Sequence, residues 1–238
     1  MHTLSPSSGL RGINTGTLIL CLAASGCATV APPVPQDIAS SAAAFDVRSA
    51  GRMNQLFGDG YFEVGSYRIT GIHHGIVRGN ELSIGQRSQT SFSGRFKFLI
   101  AGPRSTWTAH CDRQAQSTVI ALHRVDVQSS KKRLYCELNS GEQHATVELR
   151  DQSEGLYGAV TIGSNSFDLR QYADGQVNTR TAYVPDAQGV RIDHRGQNVA
   201  ALALAHPGTF WLNRKLAPEQ QDALAGVLAA VLISARRY

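Results

Sequence analysis

Residues 223–233 read Ala-Leu-Ala-Gly-Val-Leu-Ala-Ala-Val-Leu-Ile, a run without one polar side chain. Pro218 suits a first helical position, Glu219 and Asp222 suit a first turn, and Arg236 with Arg237 suits a last turn. The pattern predicts a helix over 218–236. A helix that is apolar all round must be enclosed by apolar matter. Its apolar stretch covers about 20 Å, whereas a bilayer core is about 30 Å thick, so spanning is not expected. The remaining host is the rest of the chain, which therefore has to supply a wall.

That wall reads as β. From Tyr61 onward, short runs rich in β-branched and aromatic residues alternate with period two and are separated by Gly, Asn, Asp and Ser. Candidate strands are 61–64, 67–72, 90–100, 106–111, 118–127, 133–138, 145–150, 156–162, 166–172, 181–184, 190–194, 199–204 and 209–212. The predicted class is mainly β: an antiparallel barrel or sandwich of about twelve strands, with the hydrophobic C-terminal helix packed in or against it. With 42% hydrophobic and 17% charged residues, the chain can bury a core, which excludes global disorder. A net charge of +5 over 238 residues is too small an excess to indicate nucleic acid, and no nucleic-acid partner is expected.

The first residues carry a different signal. Arg11 is the sole formal charge before an apolar run from Leu18 to Ala24, which is followed by Ser25, Gly26 and Cys27. This is the layout of a secretory signal, too short to span. The segment Leu22-Ala23-Ala24-Ser25-Gly26-Cys27 resembles the lipobox of bacterial lipoproteins; Ala24 departs from the commoner Leu. The resemblance implies cleavage before Cys27 and lipidation of that cysteine, an anchor of several acyl chains. It also implies a place in the cell envelope, and Ala28 after the cysteine favours the outer membrane, facing the periplasm. The expected organisation is a signal peptide over 1–26, a lipidated Cys27 and Pro-, Ala- and Ser-rich tether over 27–56, and one β-rich domain over 57–238. A short helix capped by Asp37 is a second reading of 38–56.

Of four cysteines, Cys21 leaves with the signal and Cys27 takes lipid, so Cys111 and Cys136 remain as an even pair. In an exported protein a disulfide is the natural reading, joining strands separated by a third or lying in facing layers. The alternative, two metal-binding thiolates, lacks the close spacing such sites use. The segment Ser129-Ser130-Lys131-Lys132-Arg133 between candidate strands reads as a basic hairpin turn.

A twelve-strand barrel closed on a C-terminal apolar helix resembles the tubby-like C-terminal fold shared by tubby domains, phospholipid scramblases and LURP-one-related proteins. The carrying residues are Asn198-Val199-Ala200-Ala201-Leu202-Ala203-Leu204, Gly208-Thr209-Phe210-Trp211-Leu212, the linker from Asn213 to Ala217 and the helix. The resemblance implies membrane proximity only and is not carried over to an activity, since fold alone does not carry function.

Catalytic chemistry has little to stand on. His73 and His74 are adjacent and on a strand face opposite sides; no HExxH, GxSxG or phosphate-loop context occurs. Gly163-Ser164-Asn165-Ser166 reads as a hairpin turn, and the glycines from Gly71 to Gly79 as further turns. Glu137 and Glu148 fall on exposed strand faces, with no reason for raised pKa values. No catalytic, cofactor or metal residue is assigned. The expected function is a lipid-anchored, non-catalytic binding or scaffolding module whose partners are the membrane and another envelope protein or lipid, with Tyr61, Tyr67 and Arg68 as exposed contacts. The alternative is an envelope hydrolase acting on lipid, peptidoglycan or glycan.

Overall fold

The computed structural model describes residues 38, 40–49, 60–122, 125–152, 155–172, 189–204 and 207–235. Contacts divide the chain into Met1–Ala31 and Pro32–Tyr238, and all described residues belong to the second unit. The signal peptide, Cys27, the candidate strand 181–184 and the arginines at 236–237 lie outside the described residues.

The second unit contains β1 Ala42–Ser49, β2 Gly60–Val64, β3 Tyr67–His74, β4 Arg78–Ile84, β5 Arg87–Ala101, β6 Thr106–Leu122, β7 Val125–Ser140, β8 Gln143–Gln152, β9 Gly155–Ile162, β10 Asn165–Tyr172, β11 Gly189–His194, β12 Gln197–Ala203 and β13 Thr209–Asn213, followed by α1 Pro218–Ala235. Pairing is antiparallel throughout and mostly between chain neighbours. Two pairings close the sheet. β13 returns to β1, with Phe210 opposite Phe45, and the second half of β5 pairs with β3, with Ile100 opposite Ile69. The result is a closed barrel of twelve strands with β4 as one extra strand.

Closure follows from alternation. Phe96, Phe98 and Ile100 on β5, Trp107, Ala109 and Cys111 on β6, and Leu134, Cys136 and Leu138 on β7 point inward and are buried. They meet α1, whose residues from Asp222 to Ser234 are all buried. The helix contacts β3, β6, β7, β8, β9, β12 and β13, so the barrel wall encloses it as its lack of a polar face requires. No described helix is long and apolar enough to cross a membrane. Packing is tight enough for glycine to be required at Gly158 of β9, where a Cβ would fall 1.9 Å from the Glu148 carbonyl oxygen.

The helix is latched at its start. Asp222 is 2% exposed, and its Oδ2 accepts hydrogen bonds from the backbone N–H of Arg104 (3.1 Å) and Ser105 (2.9 Å) and from the Ser105 hydroxyl (2.9 Å). The same hydroxyl accepts the Trp107 indole N–H at 2.8 Å. Tyr67 is buried near Asp222; burial first, then the charge and hydrogen-bonding influence of that carboxylate, push the phenol well above its ordinary range. Gly102 opens the turn between β5 and β6, and a Cβ there would lie 2.6 Å from the Asp222 carboxyl. The carboxylate thus fastens α1 to this turn.

Several expectations are corrected. Residues 42–49, placed in the tether or in a short helix, form β1, which pairs with both β13 and β2. Ile38 is fully buried beside Trp211, Ala201 and Ala203 in a second cluster outside the barrel wall. The domain therefore begins before residue 57, because without β1 the edges of β2 and β13 would stay open and the barrel could not close. The candidate strand 118–127 is divided: residues 118–122 continue β6, which runs unbroken from Thr106 through the polar stretch with its backbone satisfied by β5 and β7, and residues 125–127 begin β7. The basic segment 129–133 is not a turn but lies within β7. Gly71 lies inside β3, with φ +60 at the irregularity opposite β5, and Gly79 lies inside β4. Gly163 and Ser164 do form a two-residue hairpin turn between Ile162 and Asn165.

Candidate functional site

Among the described residues, the structure places the residues singled out in the sequence as follows. Cys111 and Cys136 are joined, with sulfurs 2.09 Å apart and Cα atoms 4.1 Å apart. They are directly opposite on the adjacent strands β6 and β7, which corrects the expectation of strands separated by a third or in facing layers. The intervening strand expected over 118–127 is instead the end of β6 and the start of β7, which accounts for the difference. Tyr67, expected as an exposed contact, is buried at 4% in the Asp222 latch. Tyr61 is half-buried under the Arg68 guanidinium, 5.9 Å from its ring centroid, and Arg68 also pairs with Glu63 at 3.2 Å. His73 and His74 differ in exposure, and His74 lies 6.0 Å from the Phe96 ring. Glu148 accepts from Arg150 and from Arg133 (2.9 Å), and the Arg150 hydrogen bond first holds its carboxyl below the usual range. No group of three or more His, Cys, Asp or Glu suited to a metal ion occurs among the described residues.

What the sequence reading missed is a lobe. β3 leaves the sheet after His74, Gly75–Val77 cross over, and β4 takes its place beside the first half of β5. The first half of β7 runs past the end of its pairing with β8, which starts at Arg133. β4, the first half of β5, the second half of β6 and the first half of β7 therefore form a four-stranded arm continuous with the barrel wall. Every residue of β4 is exposed.

Register decides what the arm presents. Arg78, Ser93, Gln114 and Arg133 lie opposite one another across its strands, on the same face as Arg95, Asp112 and Tyr135 in the barrel wall. This row is shared by two clefts of about 260 and 630 Å³, which together make one groove on the outer face. The groove is cationic. Arg95 is paired with Asp112 at 2.8 Å and Arg133 with Glu148 at 2.9 Å, whereas Arg78 and Lys131 have no acidic partner among the described residues. Further out, the same face carries Leu82, Ile84 and Ile120, at 59%, 69% and 37% exposure. Ile76, at 85%, and Val77 stand exposed in the crossover. Exposed large apolar residues thus share one face with cations that have no acidic partner among the described residues, and that makes this face the candidate site. The faint signal in the sequence was the alternation Leu82-Ser83-Ile84, too short to separate from a loop.

The chain matches no family model, no curated protein and no solved structure.

Proposed function

We propose that this protein is a lipid-anchored lipoprotein of the cell envelope, held by an acylated Cys27 in the outer membrane facing the periplasm, and that it works as a non-catalytic binding module. The observation that carries the reading is where the barrel spends its surfaces. Its interior is occupied by its own helix, and of its exposed large apolar residues Ile76, Val77, Leu82, Ile84, Phe92 and Ile120 stand on the arm or its crossover, beside Arg78 and Lys131, with Leu99 on the barrel wall. Binding is therefore directed outward. The lipobox-like segment supports the anchor, and the buried Cys111–Cys136 bridge suits an oxidising compartment. The tubby-like resemblance fits a body working close to a membrane.

Two measurements test this. Cys27→Ala should move the protein from the membrane to the soluble fraction, and mass analysis of the native protein should find acyl chains on Cys27. Unchanged sedimentation of the variant removes the anchor. A photocrosslinker at Leu82 or Ile84 should give a discrete product in cells, and one at exposed Arg170 on β10 should not; equal products at both sites remove the arm as the binding surface.

A further inference from the structure

β4 is an open edge. It pairs with β5 on one side, and β3, which occupies that side of β5 inside the barrel, ends before β4 begins. In an antiparallel ladder every second residue directs both its N–H and its C=O away from its one partner, so β4 presents a row of backbone groups to solvent. Folded proteins usually blunt such edges with lysine, proline or a bulge. The other open edge of the arm is blunted, since the first half of β7 carries Lys131 and Lys132. β4, Arg-Gly-Asn-Glu-Leu-Ser-Ile, has no lysine, proline or bulge; its charges are Arg78 and Glu81, one on each face, and its pairing with β5 is regular from Arg78 to Ile84.

We infer that the β4 edge is a docking strand that accepts an extended, acidic and apolar segment of a partner protein as one more strand of the arm. This rests on the reading of the arm as the binding surface and names its partner class. An added strand would bring alternate side chains onto the outer face, beside Arg78 at one end and beside Leu82 and Ile84 at the other. Arg78, without an acidic partner among the described residues, calls for a carboxylate; Leu82 and Ile84 call for apolar side chains. Glu81, the one acid of β4, is on the opposite face. A second copy of this chain fits poorly. Full antiparallel overlap of two β4 strands would set Glu81 against Glu81, and like charges directly opposite are destabilising. A lipid surface would satisfy the cations and the apolar tip but would leave the directional backbone groups unused.

The test uses the full-length protein in detergent micelles, so it does not depend on the anchor. A fluorescein-labelled peptide of alternating Glu and Val, the length of β4, should raise fluorescence anisotropy in a saturable manner. Arg78→Glu should weaken it about fivefold or more, because an attractive cross-strand pair becomes a repulsive one. N-methylation of alternate peptide amides, which keeps every charge, should abolish binding. Arg78 is exposed, so its variant should melt with the wild type. Equal binding of the N-methylated peptide, equal binding of the Lys-Val counterpart, or no binding of the Glu-Val peptide would overturn the inference. So would phosphatidylglycerol vesicles bound through Arg78 with no peptide bound. Failure here with Cys27-dependent membrane attachment intact would leave the lipoprotein reading standing, and the converse pair of results would separate them the other way.

Discussion

Removing the carboxylate that latches α1 tests the fold at its most consequential polar contact. Asp222 sits at 2% exposure and accepts from two backbone amides and one serine hydroxyl, with the buried Tyr67 phenol near its charge. A hydrogen bond to a charged group contributes about 1.5–3 kcal/mol, and a buried donor left unsatisfied costs about 1–3 kcal/mol. Arg104 is exposed and Ser105 half-buried, so water can recover part of the loss at their amides, but not at buried Tyr67. The contributions do not add fully, and Asp222→Ala should destabilise by about 3–5 kcal/mol, a large share of a typical total. Asp222→Asn keeps an oxygen where Oδ2 stands and should lose only about 1–2 kcal/mol, the part due to charge. Urea unfolding measures both, and amide exchange at Arg104 and Ser105 localises the effect. An Asp222→Ala protein within about 0.5 kcal/mol of wild type, the range of ordinary surface substitutions, with unchanged exchange at those amides, would refute the latch.

The remaining expectations concern other parts of the barrel. Tyr67 has its pKa raised in the folded state, so its contribution is complete below about pH 10 and is lost as pH rises above that; the alkaline fall in stability should flatten in Tyr67→Phe, measured by unfolding between neutral and strongly alkaline pH. Reduction of Cys111–Cys136, with a sequence separation of 25, should remove about 3–4 kcal/mol in the chain-entropy treatment, read as a lower melting temperature with dithiothreitol than without. Leu228→Ala on the enclosed helix should cost about 2–5 kcal/mol, whereas Leu82→Ala on the arm should change stability by less than about 0.5 kcal/mol; equal effects by chemical denaturation would contradict the enclosure of one and the exposure of the other. Arg195 holds φ +51 in the turn between β11 and β12, and Arg195→Gly should raise stability by about 0.5–1 kcal/mol by relieving that conformation; a loss in calorimetry would contradict strain there.

How much of this was legible depends on whether the signal was local. Asp222 was readable as a first-turn acid suited to the helix dipole, but not as the acceptor of a turn more than a hundred residues away. Tyr67 has the composition of a surface aromatic and is buried because β3 faces that same carboxylate. In β12 and β13 the apolar residues run without alternation, from Val199 to Ala203 and from Phe210 to Leu212. Such runs mean burial on both faces. The second face is covered where buried Ile38 packs with Trp211, Ala201 and Ala203, which could not be read from a Pro- and Ala-rich stretch.

By itself the sequence determined that the C-terminal helix has to be enclosed and that the wall is antiparallel β. Both follow from periodicity, a property of residues a few positions apart. Only the tertiary structure decided that Ala42–Ser49 closes the barrel, that Cys111 faces Cys136 on the neighbouring strand and that β4 edges a four-stranded arm. Register and closure are pairings between distant segments, chosen by whether the whole sheet can satisfy its backbone around the helix, and no window of sequence contains that sum.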